Sequence, residues 1–233
     1  MARKKKSVGW LWRIAALLLL VVMTAGGWFW WDMQHWTPEE SVFPDQGIYV
    51  SAHDGEVNFR TAKALGASFA YLAASDGASG KDGRFGRNLD AAKEAGMEIG
   101  AVHQFDPCVM ADGQTANFVV MVPRGGQWMP PVVELARTAE ICEKRVPDAA
   151  VESELITLIN QVENHTGKRL ILKVSPEFES RYKISQMIER DLWLSRTRFE
   201  PSYAGRPWLF WTANEALRSE ASQQSIRWMV VRP

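Results

Sequence analysis

The segment "GIYVSAHDGEVNFRTAKALGASFAYLAAS", residues 47–75, holds one complete strand–helix–strand unit. GIYVSA is a short apolar strand, NFRTAKALG has helical spacing with Gly66 as a stop, and SFAYLAAS is again a strand. The alternation continues outward from this unit. FGRNLDAAKEAG (85–96) is a helix ending at Gly96, MEIGAVHQF (97–105) is a strand, and ADGQTANFVVMVP (111–123) starts as a helix. PPVVELA (130–136) is a strand, DAAVESELITLINQVENHTG (148–167) is a long amphipathic helix ending at Gly167, and RLILKVS (169–175) is the next strand. PEFESRYKISQMI (176–188) is a helix, followed by strands DLWLSR (191–196) and PWLFWTA (207–213). Strands separated by helices of about ten to fifteen residues indicate βα units and a mostly parallel sheet. The expected class is α/β, a single irregular (β/α) barrel. In such barrels functional groups sit at the C-terminal strand ends, which selects Tyr49, Asp76, His103, Glu134 and Trp211.

A different solvent preference governs the N-terminus. "MARKKK" precedes an uncharged apolar run over residues 14–31, and those eighteen residues in a helix rise about 27 Å, close to the thickness of a bilayer's hydrocarbon. Trp28, Trp30, Trp31 and Trp36 gather at the far end, as interfacial aromatics do. Basic residues lie on the near side, so the expected order is a cytoplasmic tail (1–13), a transmembrane signal-anchor (14–31), a linker with two prolines (32–45) and an exported barrel (46–233). A cleaved signal peptide is the rival, but "MTAGG" is followed by bulky tryptophans, a poor cleavage site.

The first 31 residues hold five of the 27 Lys/Arg and no acid, leaving the remainder with a net charge of −5. That argues against nucleic acid as a partner, which would require a basic face. Cys108 and Cys142 fall on the side expected to be exported, where a disulfide is permitted; two free buried thiols are the alternative. The four histidines show no ligand spacing, so neither a zinc site nor another cofactor is expected. "ASDGASGKDGRFG" (74–86) has the look of a phosphate loop but places Ser75 where the motif's first Gly belongs and Asp82 after Lys81, where Ser or Thr belongs. It reads as a βα loop. G-x-S-x-G and H-E-x-x-H are both absent.

Seven pieces in order resemble glycoside hydrolase family 25, the Chalaropsis-type lysozymes. "GIYVSAHDGEVNF" is similar to G-I-D-V-S-x-x-Q-G-x-I-D-W, and "FAYLAASDG" to F-V-Y-I-K-A-T-E-G. "DGRFGRNLDAAKEAGMEIGAVHQFDPC", "QTANFVVMVP", "PPVVELA", "GKRLILKVSPEFESRY" and "LWLSR…AGRPWLFW" match later segments, so the likeness runs from about Gln46 to Trp211. It implies peptidoglycan as ligand and hydrolysis between N-acetylmuramic acid and N-acetylglucosamine. Carried over by position, the family's first-strand Asp falls on Tyr49, the Asp of its D-x-E strand on Glu134, the Glu of that strand, which the resemblance implies is the proton donor, on Ala136, the Glu of A-T-E-G on Asp76, and a late Asp on Arg227 in "SIRWMVV". The Gln after the final F-W falls on Thr212.

Glycoside hydrolysis normally needs two carboxyl groups. Residues i and i+2 of a strand share a face, so Glu134 and Ala136 both point into the expected groove, and Ala136 can move no proton. Three functions follow: a glycan-binding or scaffolding descendant of a muramidase, an active muramidase using Glu134 and Asp76, or an envelope protein-interaction domain without glycan. In the second, desolvation would raise the Glu134 pKa as a general acid requires. Tyr49, Trp211 and Trp128 are possible sugar-stacking platforms, His103 a hydrogen-bond partner for a sugar hydroxyl, and Arg206 a clamp for an acidic group or a surface pair. The expected location is the bacterial inner membrane, single-pass, with the barrel in the periplasm or cell exterior.

Overall fold

The computed structural model describes residues 7–233, which divide into two units, residues 7–36 and 37–233. The first is one helix, α1 (Ser7–His35), and its stretch Gly9–His35 is long and apolar enough to cross a membrane. It overruns the expected span of 14–31 at both ends. Asp32 and Gln34 do not break it, and His35 Nδ1 lies 2.8 Å from the Trp31 carbonyl one turn back. The expected linker therefore begins at residue 36 rather than 32. The basic run Arg3–Lys6 lies outside the described residues.

The second unit contains, in chain order, β1 (Gln46–Val50), α2 (Phe59–Ala64), β2 (Ala67–Asp76), β3 (Gly80–Lys81), α3 (Phe85–Glu94), β4 (Glu98–Gln104), α4 (Ala111–Met121) and β5 (Val132–Leu135). It continues with α5 (Asp148–Thr166), β6 (Ile171–Val174), α6 (Pro176–Tyr182), α7 (Ile184–Met187), β7 (Asp191–Ser195), β8 (Phe210–Leu217) and β9 (Ile226–Val231). The strand order β1-β9-β8-β7-β6-β5-β4-β2 closes on itself because β1 also pairs with β2. Every neighbour pair from β1 through β2 to β8 is parallel; β9 runs antiparallel to both β8 and β1. The two-residue β3 folds back on β2 outside the ring.

Local chemistry explains most of the boundaries. Asn58 caps α2 by accepting from Thr61 N, and Ser175 caps α6 by accepting from Phe178 N, with Pro176 in the first turn. Gly167 ends α5 in the left-handed region at φ 70°, which an L-residue adopts only at a cost. Two features differ from the sequence expectation. PEFESRYKISQMI is two helices, because the buried Glu179 carboxylate accepts from Ser185 N and from the Ser185 hydroxyl and turns the chain at Lys183, φ 50°. SIRWMVV, not expected as a strand, is β9.

The barrel interior is an aromatic-rich cluster of Tyr49, Phe69, Tyr71, Val102, Val132, Ile171, Trp193, Phe210 and Met229. Tyr71 packs 5.2 Å from Trp193 and 5.5 Å from Phe210 between ring centroids. Buried polar tips are satisfied: Tyr71 Oη donates to Pro130 O and Trp193 Nε1 to Thr212 Oγ1. Each such side chain contributes about 1.5–3 kcal/mol on burial. Glycine makes room for these rings on the neighbouring strand. A Cβ on Gly100 would stand 2.1 Å from Tyr71 Cε1. Outside the ring, Cys108 and Cys142 form a disulfide joining the β4–α4 loop to the segment after β5.

Gly100→Ala is expected to lower unfolding stability by about 1–3 kcal/mol through overpacking against Tyr71. Urea denaturation followed by tryptophan fluorescence measures it.

Candidate functional site

At the C-terminal strand ends, alternation along β5 and β6 places Glu134 and Lys173 one step beyond Val132 and Ile171 of the apolar layer, where the hydroxyl of Tyr49 on β1 meets them. The Lys173 ammonium donates to Glu134 Oε1 at 2.6 Å, and Tyr49 Oη donates to Oε2 at 2.8 Å. Both members of the ion pair are nearly covered, with side chains 11% and 16% exposed. Two cations lie over the Tyr49 ring, Lys173 Nζ at 4.3 Å and the Arg227 guanidinium at 3.8 Å from its centroid. Arg227 directly opposes Tyr49 across the β1–β9 ladder. It donates to Asp54 Oδ2 at 2.5 Å and to Ser51 Oγ at 2.8 Å.

These contacts set the charge states. Burial by itself would raise the Glu134 pKa, but the charge and hydrogen bond of Lys173, the Tyr49 hydroxyl and the Arg227 charge together hold it below the usual carboxylate range. Burial lowers the Lys173 ammonium, Glu134 opposes that, and Arg227 adds to it. Burial, then the Glu134 charge, drives the Tyr49 phenol well above its ordinary value. A general acid must hold its proton near the working pH. Glu134 is instead held ionised, the reverse of the raised pKa expected for an acid at this position.

Two clefts meet at Glu134. One, about 460 Å³, is lined by Tyr49, Ser51, Asp76, Lys81, Asp82 and Arg227 among others. The other, about 390 Å³, is lined by Ala136, Lys173, Ser175, Glu177, Ser195 and Glu215. Asp76 shares the first cleft with Glu134, and its carboxylate is ion-paired to Arg137. A larger recess of about 800 Å³ lies beside α2, α3 and the β8–β9 loop. Its walls include the exposed pair Arg60–Glu94, 3.8 Å apart, and it does not include Glu134.

Comparison with known proteins identifies this arrangement. The family model for glycosyl hydrolases family 25 matches residues 48–217. The chain belongs to glycosyl hydrolases family 25. A family 25 glycosyl hydrolase from Bacillus anthracis superposes with a TM-score of 0.76 at 25% identity, over 86% of this chain and 93% of that one. A bacterial lysozyme from Streptomyces coelicolor shares the fold with a TM-score of 0.72 at 20% identity, over 81% and 92% of the two chains. In sequence, Lysozyme M1 of Streptomyces globisporus is 40% identical over 83 residues, 36% of this chain and 28% of that protein. The uncharacterized protein YegX of Escherichia coli K12 is 26% identical over 144 residues, 61% of this chain and 51% of that protein. The matches thus span about half or less of these curated relatives.

Within this family 25 barrel, the structure brings Tyr49, Glu134 and Asp76 to the mouth but not the other expected contacts. His103 follows the inward Val102 on β4, so it faces α4 and is fully buried. Its Nε2 lies 3.3 Å from Gln114 Oε1, an acceptor, and its Nδ1 2.8 Å from Ser75 Oγ. It therefore bears its proton on Nε2 and accepts from Ser75; no sugar hydroxyl can reach it. Trp211 follows the inward Phe210 and packs outside the ring, 5.8 Å from Phe43 and 5.7 Å from Trp208, its Nε1 donating to Arg196 O. Arg206 clamps no acid: it donates to the carbonyls of Ser185, Ile188 and Arg190. Trp128 bridges to Ile99, at the opposite end of β4. Sequence reasoning missed Lys173, Asp54 and Arg137.

Two outcomes follow. Lys173→Met, which leaves the Glu134 charge buried with its principal partner gone, is expected to cost about 3–5 kcal/mol in chemical denaturation. Burial pushes the His103 pKa from 6.5 down to about 4. The folded state thus binds fewer protons than the unfolded one between those values. The associated stability, roughly 3 kcal/mol, is complete above pH 6.5 and lost as pH falls toward 4. Denaturation at pH 7, 5.5 and 4 is expected to show that decline in the wild type and a shallower one in His103→Gln.

Proposed function

We propose that this chain is a membrane-anchored, lysozyme-like domain of the bacterial envelope that binds peptidoglycan glycan strands and has lost the hydrolytic step. Membership of family 25 supports peptidoglycan as the ligand, and the name of Lysozyme M1 agrees with it. The apolar Gly9–His35 helix supports a single membrane span, and the bulky tryptophans after "MTAGG" and the basic residues ahead of the span favour an uncleaved anchor with the barrel on the periplasmic or outer side. Formation of the Cys108–Cys142 disulfide suits an oxidising compartment.

The observation that carries the loss of hydrolysis is the state of Glu134. Both of its oxygens are engaged, by Lys173 and Tyr49, and the group is held ionised. Ala136, which lines the adjoining cleft where the family resemblance places the proton donor, offers only a methyl group. The resemblance likewise places Tyr49 and Arg227 at acidic positions. Loss of a general acid by itself typically removes about 10²–10⁴-fold in rate. The active-muramidase reading would require Asp76 as partner, and that carboxylate is tied to Arg137. The mouth remains open on two sides of Glu134, which suits binding of an extended polymer.

Incubation of the detergent-solubilised protein with purified sacculi is expected to retain it in the pellet at modest salt while releasing no soluble muropeptides. Muropeptide release abolished by Glu134→Gln would instead establish a working muramidase. Failure to co-sediment would leave the protein-interaction reading.

A further inference from the structure

A further cavity lies at the opposite end of the barrel from Glu134. It encloses about 690 Å³ between α3, the start of β4 and the loop over residues 123–128. Leu89, Met97, Ile99 and Pro123 give it an aliphatic lining, with Met97 and Ile99 buried beneath. Lys93 and Arg124 stand on its walls, and among the described residues no carboxylate lines it or pairs with either cation. That balance is unlike the rest of a chain whose residues 32–233 carry a net charge of −5.

Two donors on this cavity are held in place by neutral neighbours. Arg124 Nε donates to His165 Nδ1 at 3.2 Å, and His165 Nε2 donates to Val122 O at 2.8 Å. The imidazole is therefore the neutral tautomer, so it orients the guanidinium without cancelling its charge. Trp128 Nε1 is shielded from solvent and has no hydrogen-bond partner among the described residues, a rare condition for a buried donor. Its indole stacks on Phe85, 6.3 Å between centroids and 14° between planes, while its carbonyl accepts from Lys168. Gly126 has no side chain to fill the space beside that nitrogen: a Cβ would stand 2.2 Å from it.

We propose that this cavity binds a single-chain carboxylate amphiphile, a free fatty acid, with its head among Arg124, Lys93 and Trp128 Nε1 and its alkyl chain against Leu89, Met97 and Ile99. A guanidinium matches a carboxylate in geometry as well as charge. An indole N–H can only donate, so its partner must be an acceptor such as a carboxylate oxygen. Aliphatic walls that include a methionine adapt to an unbranched chain, and the volume is that of a site for one small ligand. A bare inorganic anion would leave the aliphatic lining wet, an alcohol would leave both cations unpaired, and two acyl chains would overfill the space. The site is separate from the barrel mouth and requires no glycan binding there.

The full-length protein in phosphatidylcholine nanodiscs is irradiated with decanoic acid carrying a diazirine near its methyl end, then digested, and the adducts are mapped by mass spectrometry. Adducts on α1 serve as the internal reference for probe uptake. Barrel adducts are expected to concentrate at Leu89, Met97, Ile99 and Pro123 and to be suppressed by excess octanoate. The matching diazirine decanol is expected to label these residues several-fold less relative to α1. Arg124→Gln and Trp128→Phe, each checked for cooperative unfolding at the wild-type temperature, are expected to reduce labelling several-fold; the second keeps the ring and removes only the N–H donor. Barrel adducts no denser at these four residues than elsewhere would overturn the proposal. Equal labelling by the alcohol would overturn the carboxylate assignment, and undiminished labelling in both variants would overturn the placement of the head.

Discussion

Closure through β1 is the constraint on which everything else rests. This five-residue strand is fully buried and hydrogen-bonds to β2 on one side and β9 on the other. Remove either ladder and the ring opens into a sheet with two bare edges. Closure also sets the register that brings Arg227 opposite Tyr49, and hence the cation above the phenol ring whose hydroxyl holds Glu134. The aromatic layer below depends on the same ring, since Tyr71 and Phe69 occupy space that Gly100 and Gly47 vacate on adjacent strands.

Above that layer the barrel mouth is lined by alternating charges. Asp54, Arg227, the Tyr49 ring, Lys173 and Glu134 form a continuous stack in which each ion has an opposite charge or a π face within reach. Burying such groups costs several kcal/mol per ion, which close pairing offsets only when hydrogen bonds are complete. Glu134, with a donor on each oxygen, meets that condition, and Asp54 accepts from Ser51 N and Oγ as well as from Arg227. The stack leaves the carboxylate well solvated by protein dipoles and poorly suited to holding a proton.

The barrel class was legible because helical and strand periods alternate cleanly from residue 47 onward and the glycine stops at 66, 96 and 167 fall where helices end. The closing strand was not. Arg227 interrupts its apolar run, and an antiparallel final strand follows no βα rhythm. For the site, strand ends were legible but strand parity was not. His103 and Trp211 lie at the right height yet are one residue out of phase with Val102 and Phe210, so they point away from the mouth. Lys173 is in phase with Ile171 and points inward; reading RLILKVS as alternating rather than uniformly apolar would have located it. Asp54 ends a single 3₁₀ turn (Ala52–Asp54) and Arg137 lies in the loop after β5, and neither segment is long enough for a periodicity to place them.

The position of β9 in chain order bears on biosynthesis. The first strand of the ring to be made cannot acquire its second neighbour until residues 226–231 have been synthesised. Throughout that interval the nascent polypeptide exposes unsatisfied backbone donors and acceptors on both flanks, a template for mispairing with other chains. Premature termination anywhere before β9 would thus yield not a shortened barrel but an aggregation-prone open sheet, a substrate for quality-control proteases.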